Sequence, residues 1–321
     1  ASINSVLIDR NNTLVNTNKL LIAGDFTTHS KGGVTTPVTD SARLNTDGSL
    51  DTTYQTTNAF SGGSIVNAQI LQPDNRLVLA GSFTTLNGVT ENGLARLGSE
   101  TATLTILDDE SLNIPAGSID TLFSLGTGAN NPVQAMALQT DGSILIGGDF
   151  TQFNSVSRNR LARLAPGGTL DTSFLSTGSG FNGTVRAITL QLDGRVLVGG
   201  SFTTVNGTNR NYIVRLSTDG TLDSSFNPGS GADNPVFAVA VHTNGSTTIS
   251  NKVVVGGAFA TFNGTGRNNL ARLNSDGTLD TDFAIGTGAN GTIYALAIQS
   301  DGRLLVGGDF TTFNGVSKGN L

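Results

Sequence analysis

The chain contains 321 residues, with 42 glycines, 13% charged residues and a formal net charge of −6 at pH 7. Its 18 basic residues form no run, which excludes a nucleic-acid binding protein, since such a protein needs concentrated Lys and Arg. The absence of cysteine excludes disulfides and thiolate metal sites, and no segment approaches the roughly 18 consecutive apolar residues that indicate a membrane-spanning helix.

One phrase of the form G-x-F, preceded by an apolar run, recurs six times along the chain. In chain order it ends at Phe26, Phe83, Phe150, Phe202, Phe259 and Phe310, at intervals of 57, 67, 52, 57 and 51 residues. The abundance of Gly, Asn and Thr favours short strands and tight turns over helices. The sequence therefore predicts six copies of one β-rich unit.

Each unit is predicted to form four strands, a to d, and the fourth unit shows all of their signals. Strand a, T-V-R-A-I-T-L-Q (184–191), is followed by an Asp-Gly turn and by strand b, V-L-V-G-G-S-F (196–202). The apolar run of strand b indicates that both faces are covered, and its Gly pair indicates a bulge or a close backbone approach. Asn206-Gly207 begins the connection to strand c, I-V-R-L (213–216), and T-L-D-S-S-F (221–226) is strand d.

A four-stranded antiparallel sheet repeated six times predicts an all-β fold, either a closed six-bladed β-propeller or an open array of the same blades. We expect a single domain with blades at about 1–60, 61–128, 129–180, 181–231, 232–288 and 289–321. A column of small residues predicts that strand a is the innermost strand, and its members are Ser5, Ala68, Ala135, Ala187, Ala238 and Ala295.

The last blade is expected to be incomplete, because strands c and d occur five times and strands a and b six times. Two explanations remain open: residues 1–321 are part of a longer chain, or a neighbouring molecule supplies the missing strands. In the second case the exposed strand edge is a template for pairing with another chain, including a second copy of this one.

The repeated phrase resembles a known family. The pattern Q-x-D-G-x-x-x-x-G-G-x-F followed by N-G, A-R-L and D-G-T-L-D-x-x-F is similar to the delta-60 repeat, a β-propeller repeat of large bacterial surface and secreted proteins with no established general activity. The resemblance covers nearly the whole chain. It implies a bacterial, extracellular propeller at the cell surface, and it implies no catalytic residues.

One insertion departs from this pattern. The segment T-A-T-L-T-I-L-D-D-E-S (101–111) resembles the last strand of a Calx-β motif, a calcium-binding module. The resemblance implies a calcium site at Asp108, Asp109 and Glu110, and the alternative is a solvated acidic loop. No other cofactor is expected, and calcium is the one candidate.

Recurrent acidic residues and two histidines are the remaining chemical candidates. An Asp recurs in strand d, which predicts a structural role in accepting backbone N–H bonds, with calcium binding as the alternative; its copies are Asp51, Asp120, Asp171, Asp223 and Asp280. His29 and His242 lie in unrelated contexts and are interpreted as structural. With no nucleophile motif present, the chain is not expected to be an enzyme.

A candidate ligand site lies at the second position of strand a, where residue identity varies from unit to unit. Its members are Asn4, Asn67, Gln134, Arg186, Phe237 and Tyr294. Such a ring of amides, an Arg and aromatic rings at the mouth of an axial channel suits a sugar or a peptide end. The alternative is a half-exposed position that tolerates many side chains.

The first functional hypothesis is a non-enzymatic structural, adhesion or assembly module of a bacterial surface or secreted protein, with other subunits or surface polymers as partners and without membrane insertion. The second is a glycan- or peptide-binding propeller, and a weaker third is a propeller hydrolase or lyase. The first residues lack a basic, apolar leader. A signal peptide would therefore have been removed or would lie outside residues 1–321.

Overall fold

The computed structural model describes residues 2–9, 19–31, 33–38, 40–51, 60, 65–72, 76–86, 89–97, 123–242, 251–299 and 301–317. Every regular element within these ranges is a β-strand, and the paired strands whose register is known are antiparallel. Among these residues no helix is long and apolar enough to cross a membrane. The all-β prediction is confirmed.

Three kinds of strand recur along the described chain, strands a and b in six repeats and strand c in five, as the sequence predicts. Strands a are β1 (Ser2–Asp9), β6 (Val66–Leu71), β11 (Val133–Leu138), β16 (Val185–Leu190), β21 (Val236–Val241) and β26 (Ile293–Ile298). Strands b are β2 (Lys19–Asp25), β7 (Leu77–Gly81), β12 (Ile144–Gly148), β17 (Val196–Gly200), β22 (Val253–Gly257) and β27 (Leu304–Gly308). Strands c are β5 (Ser41–Leu44), β10 (Leu94–Leu97), β15 (Leu161–Leu164), β20 (Ile213–Leu216) and β25 (Leu270–Leu273).

These strands form sheets in the order a–b–c, and each sheet is numbered here by its repeat. Sheet 1 is β1-β2-β5, sheet 2 is β6-β7-β10, sheet 4 is β16-β17-β20 and sheet 5 is β21-β22-β25. In the described part of the chain, sheet 6 contains β26 and β27. Strand a is thus an edge strand, and it lies beside the strand a of the neighbouring sheet, as in the series β16, β21 and β26.

A small two-stranded hairpin follows strand b in each repeat. The hairpins pair β3 (Thr28–Lys31) with β4 (Val34–Pro37), β8 (Thr85–Leu86) with β9 (Val89–Thr90), β13 (Gln152–Phe153) with β14 (Val156–Ser157), β18 (Thr204–Val205) with β19 (Thr208–Asn209), β23 (Thr261–Phe262) with β24 (Thr265–Gly266), and β28 (Thr312–Phe313) with β29 (Val316–Ser317). The Asn-Gly pair turns this hairpin: Asn206 and Gly207 have φ values of 49° and 76°, as a type I′ turn requires.

The expected fourth strand is reduced to a single pair of bridged residues. Leu216 bridges Leu222 in sheet 4, and Leu273 bridges Leu279 in sheet 5. Directly after the bridged Leu222, the side chain of Asp223 accepts a hydrogen bond from the backbone N–H of Ser225, which turns the chain away from the sheet. Sheets 4 and 5 therefore have three strands and a bridge where the sequence predicts four strands.

Close sheet-to-sheet packing explains the glycine of strand b. A Cβ built on Gly256 would lie 2.5 Å from Ile293 Cγ2 of the next sheet, and one built on Gly199 would lie 2.8 Å from Val236 Cγ1. Val254 is fully buried between sheets in the same way. The predictions of a close approach and of a strand covered on both faces are confirmed for these sheets.

The chain divides into two compact units. The first contains Ala1–Ile144, Phe150–Ser157 and Leu164–Leu170, and the second contains Leu145–Asp149, Arg158–Arg163 and Asp171–Leu321. Sheets 1 and 2 belong to the first unit and sheets 4, 5 and 6 to the second. That the chain forms a single domain with the blade boundaries given above remains a prediction.

Candidate functional site

Strand a carries a β-bulge at its second residue, opposite the glycines of strand b. In sheet 4, Val185 pairs with Gly200 and Ala187 pairs with Gly199, so Arg186 is the extra residue. The register shifts at the same position in sheets 1, 2, 5 and 6, at Asn4, Asn67, Phe237 and Tyr294. Successive side chains of a strand point to opposite faces of the sheet, and a bulge interrupts this alternation and gives its own side chain a different direction. This geometry explains why residue identity is free at this position.

Three bulge residues of the second unit form a continuous row, the bulge row: Arg186, Phe237 and Tyr294. The guanidinium carbon of Arg186 lies 5.3 Å from the centre of the Phe237 ring. The Phe237 and Tyr294 ring centres are 5.3 Å apart, with an angle of 42° between the rings. Tyr294 is 51% exposed, and its two neighbours are half-buried. The row is an accessible surface of planar groups in contact, in which the two aromatic rings are tilted relative to each other.

Two further residues border the bulge row, and the sequence analysis did not identify them. Arg186 Nε donates a hydrogen bond to Ser201 Oγ at 3.2 Å, and the Tyr294 hydroxyl donates to Asp309 Oδ2 at 2.9 Å. This hydrogen bond, together with burial, raises the pKa of Tyr294 and keeps the phenol protonated. Both partners occupy the variable position of the G-G-x-F phrase, so its variability was the signal that could have revealed them.

The predicted members in the first unit behave differently. Asn4 Nδ2 donates to the Val66 carbonyl at 3.3 Å, and Asn67 Nδ2 donates to the Val133 carbonyl at 3.0 Å. These amides join neighbouring strands a, which is a structural use of the side chain. Gln134 is half-buried on β11. The structure thus brings together Arg186, Phe237 and Tyr294, and the six-membered ring stays a prediction.

The recurrent Asp of the L-D-x-x-F phrase holds the Arg of strand c. Arg Nε donates to Asp Oδ2 at 2.6 to 2.7 Å in four repeats: Arg43–Asp51, Arg163–Asp171, Arg215–Asp223 and Arg272–Asp280. The second carboxylate oxygen accepts a backbone N–H two residues later, at Ser173, Ser225 and Asp282. The predicted structural role is confirmed for Asp171, Asp223 and Asp280.

The metal and histidine candidates add no assembled site to the described part of the chain. Among its residues no three His, Asp or Glu side chains are grouped as metal ligands. Asp108, Asp109, Glu110 and Asp120 lie outside the described residues, so the calcium site stays a prediction. The His29 ring is hydrogen-bonded to the Gly48 carbonyl at 3.1 Å. Burial, and then the charge of Arg272, lower the pKa of His242.

Sheets 1 and 6 each expose an apolar face that the inner sheets bury. We call the face of a sheet that packs against the preceding sheet its incoming face, as Val236 of sheet 5 packs against sheet 4, and we call the opposite face its outgoing face. On sheet 1, the incoming face contains Ile3 and Val6, which are 59% and 55% exposed. The outgoing face of sheet 6 contains Leu305, 46% exposed, whereas Val254 at the same position of sheet 5 is fully buried. Both faces depart from the burial pattern of the inner sheets.

A groove of about 540 Å³ runs beside β27, on the side of sheet 6 that faces sheet 5. We call it the open groove, and its apolar lining includes Leu270, Phe283, Leu304, Val306, Phe310 and Phe313. Every residue of β27 is at least partly exposed, while every residue of β22 is buried. Among the described residues, β27 is therefore less covered than β22.

The family model of a β-propeller domain of unknown function, DUF5122, matches six segments of the chain: 16–54, 72–100, 139–174, 191–226, 250–283 and 299–321. Together these segments make up more than half of the residues. The chain belongs to this family. The all-β propeller fold predicted from the repeat is thereby confirmed, while the number of blades stays a prediction.

The family matches cover strands b and c and omit strand a. Residues 185–190, 236–241 and 293–298, which carry the bulge row, lie outside every matched segment. Membership of the family therefore concerns the framework of this propeller, and the chemistry of the bulge row has to be argued from its own side chains.

One solved structure shows the same fold at low sequence identity, and two others have lower structural similarity. The extracellular domain of BT4673 from B. thetaiotaomicron, assigned as a one component system, has 16% identity and a TM-score of 0.55, over 95% of this chain and 30% of that one. A protein of unknown function from Bacteroides caccae has 15% identity and a TM-score of 0.43, over 87% and 80%. The extracellular domain of BT3049 from B. thetaiotaomicron, assigned as a hybrid two component system, has 10% identity and a TM-score of 0.46. The match covers 95% of this chain and 37% of that one.

This chain thus spans about a third of the length of BT4673 and BT3049. No curated protein matches it.

Proposed function

We propose that this propeller is a non-enzymatic, extracellular assembly module of a bacterial surface or secreted protein, and that copies of the chain associate head to tail. The observation that carries the proposal is the pair of exposed apolar faces on sheets 1 and 6. A large apolar face that stays exposed in a soluble protein is typical of an interaction site.

The two faces are complementary halves of one repeated interface. In the second unit, the first glycine of strand b contacts the first and fourth residues of the next strand a: Gly256 contacts Ile293 and Leu296. Ile3 and Val6 occupy those two positions in β1, and Gly307 occupies the glycine position in β27. The incoming face of one copy therefore fits the outgoing face of another by contacts that this chain already uses internally.

Such an interface joins two different surfaces. A pair of bound copies therefore still has one free incoming face and one free outgoing face. A heterologous contact of this kind generates rings or open chains of subunits rather than a closed dimer. The extracellular location is supported by the resemblance to repeats of bacterial surface proteins and by the extracellular domain of BT4673, which shares the fold.

Light scattering at increasing protein concentration tests the proposal. We expect the molar mass to rise with concentration, and we expect Val6→Arg or Leu305→Arg to hold the protein as a monomer, because each places a charge on one apolar face. A mixture of the two variants should form dimers only, since each retains one intact face. Leu192→Arg is the matched control, because Leu192 is 83% exposed and lies on neither face. A wild-type chain that remains a monomer at every concentration contradicts the proposal.

The bulge row supports a second candidate function, the binding of a glycan or peptide end. Its stacked Arg186, Phe237 and Tyr294 offer aromatic faces and a cation on an exposed surface. The test is a glycan and peptide array probed with wild type and with the Arg186→Ala, Tyr294→Ala double variant. Loss of a wild-type signal in the double variant, with retention in Arg303→Ala at the other end of β27, supports this function. An unchanged signal contradicts it.

A further inference from the structure

Charged side chains are distributed unequally between the two ends of sheets 4 and 5. In sheet 4, Val185 pairs with Gly200 and Gly199 pairs with Ile213, so strand a begins, strand b ends and strand c begins at the same end of the sheet. We call this the upper end of a sheet and the opposite end its lower end. The same pairings recur in sheet 5.

Every basic residue that the structure describes at the lower end of sheets 4 and 5 has an acidic partner. The contacts are Arg195–Asp193 at 3.3 Å, Arg215–Asp223 at 2.7 Å, Lys252–Asp280 at 2.7 Å and Arg272–Asp280 at 2.6 Å. The positive charge at this end is therefore neutralised within the chain itself.

The upper end of the same two sheets carries three arginines that have no acidic partner among the described residues: Arg186 on β16, Arg210 shortly before β20 and Arg267 shortly before β25. Arg210 and Arg267 each donate from Nη1 to the carbonyl of the preceding residue, at 2.8 and 3.0 Å. Within the described ranges, Asp233 is the one carboxylate at this end of the two sheets, and it accepts the backbone N–H of Thr261 at 3.1 Å. This end therefore has an excess of positive charge in a chain whose net charge is −6.

Arg186 is held so that one edge of its guanidinium group stays available. Its Nε donates to Ser201 Oγ at 3.2 Å, and its guanidinium carbon lies 5.3 Å from the centre of the Phe237 ring. No described residue accepts a hydrogen bond from Nη1 or Nη2. These two groups form a planar fork, which binds a carboxylate or a similar oxyanion through two parallel hydrogen bonds. Arg186 is therefore positioned to bind an anionic group beside an aromatic ring.

The remainder of the bulge row suits a sugar. The Phe237 and Tyr294 rings, with centres 5.3 Å apart, offer apolar faces for the C–H groups of a sugar ring. The Tyr294 hydroxyl donates to Asp309 Oδ2 at 2.9 Å. Since an ionised carboxylate has about four acceptor positions, Asp309 can also accept hydrogen bonds from sugar hydroxyls. A peptide end offers a carboxylate to Arg186 but no such set of hydroxyls, so the row favours a glycan.

We propose that the upper end of sheets 4 and 5 binds an acidic glycan. The anionic group of one sugar, a carboxylate or a sulfate ester, binds Arg186, and the neighbouring sugar packs on the Phe237 and Tyr294 rings. Arg210 and Arg267 attract the further anionic groups of the polymer. The inference rests on the second candidate function, which leaves the choice between a glycan and a peptide end open, and it is independent of head-to-tail assembly.

Fluorescence anisotropy with a labelled oligogalacturonate, a glycan of uronic acids, tests the inference on the wild-type chain. We expect saturable binding that weakens as the salt concentration rises, because salt screens the charges. The matched probe is the methyl ester of the same oligosaccharide, which keeps the sugars and removes their charge. We expect the ester to bind about tenfold more weakly or worse, since it loses the charge-assisted hydrogen bonds. This comparison needs no variant of the protein.

Substitutions locate the glycan on the protein. Arg186→Ala should weaken binding about tenfold or more, because it removes the charge-assisted hydrogen bonds. Arg210→Ala should weaken binding about two- to fivefold, as expected for a charge that acts across solvent. Arg303→Ala is the matched control, because it removes an equal charge at the lower end of sheet 6, and binding should not change. Wild-type affinity in Arg186→Ala overturns the inference.

Further probes separate the inference from the function on which it rests. Equal binding of the acid and its methyl ester overturns the inference, and so does equal binding of polyglutamate, which carries the same charged group on a peptide. Binding of sulfated dextran without binding of the oligogalacturonate supports the inference and assigns a sulfate ester to Arg186. If neither acidic glycan binds while the Arg186→Ala, Tyr294→Ala double variant loses an array signal, the inference fails and the second candidate function stands. A silent array together with no binding removes both.

Discussion

Arg215 Nε donates to Asp223 Oδ2 at 2.7 Å, and the same guanidinium lies 4.9 Å from the centre of the Phe226 ring. Its Nη1 donates to the carbonyl of Ser275, in the Asp-Gly turn region of the next repeat, at 2.6 Å. One side chain therefore joins strand c, the bridge segment that follows it and the neighbouring sheet. This relationship explains why A-R-L and L-D-x-x-F recur together.

Removal of this arginine is expected to destabilise the protein strongly. Both partners are buried, with 4% of the Arg215 and 9% of the Asp223 side chain exposed, so Arg215→Ala removes the nearest cation from a buried carboxylate and leaves Arg195 Nε at 3.4 Å. We expect a loss of about 1.5–3 kcal/mol in the free energy of unfolding, measured by urea denaturation. Arg303→Ala is the matched control, and its highly exposed side chain predicts a change within about 0.5 kcal/mol. Equal effects of the two substitutions would contradict the role given to Arg215.

Stability is expected to fall in acid because of the same carboxylates. Burial raises the pKa of Asp223, but hydrogen bonds from Ser225 and Arg215 outweigh it and lower the pKa from 3.8 to about 2; Asp171 behaves in the same way. Since these groups bind protons more weakly in the folded state, their contribution is complete above the unfolded pKa of 3.8 and is lost as the pH falls towards 2.

Urea denaturation midpoints measured from pH 7 down to pH 2 check this expectation. The midpoint should be flat at the upper end and drop below about pH 4. Asp223→Asn should lower the midpoint at pH 7 and reduce the drop in acid, because one of the responsible groups no longer titrates. Parallel curves for wild type and variant would assign the acid sensitivity to other groups.

The repeat let the sequence predict strands a, b and c, because their apolar runs and Asp-Gly turns are local signals. The Arg–Asp pairing was missed although it carries a signal, since Arg215 and Asp223 recur at a fixed spacing of eight residues. The fourth strand was overestimated because L-D-S-S-F has strand-like residues, while Asp223 turns the chain through its own side chain. Both errors concern hydrogen bonds that side chains make, which a strand pattern does not show.

The bulge row could be predicted only in part. The variability of Arg186, Phe237 and Tyr294 marked the position, but their stacking depends on a one-residue register shift and on neighbouring sheets lying side by side. The bonds to Ser201 and Asp309 depend on the same shift. The alignment of a strand with its neighbours in the folded protein cannot be predicted from the sequence of that strand alone.

Sheet-to-sheet spacing is expected to be sensitive to a single methyl group at the first glycine of strand b. A Cβ at position 256 would meet Ile293 Cγ2 at 2.5 Å, and Gly256→Ala should therefore cost about 1–3 kcal/mol through overpacking. Gly266→Ala is the control, because a Cβ there would meet nothing within 4 Å.

Thermal or urea unfolding of both variants measures the difference. Combining Gly256→Ala with Ile293→Ala should cost less than the sum of the two single substitutions, since the second removes the atom that the new methyl group strikes. If the stability losses of the two single variants add up in the double variant, the new methyl group does not collide with Ile293.

Calcium is not expected to stabilise the described part of the chain. The carboxylates of Asp51, Asp171, Asp223 and Asp280 each accept a hydrogen bond from an arginine at 2.6 to 2.7 Å, so a cation would have to displace that partner. These four carboxylates should therefore contribute no difference between the thermal midpoints in excess calcium and in chelator. A higher midpoint with calcium would mean that the ion binds the folded chain, since a ligand selective for the folded state raises stability with its concentration. Asp108→Asn with Glu110→Gln would then decide whether the acidic insertion is the site, because loss of the calcium effect in that variant would place the ion there.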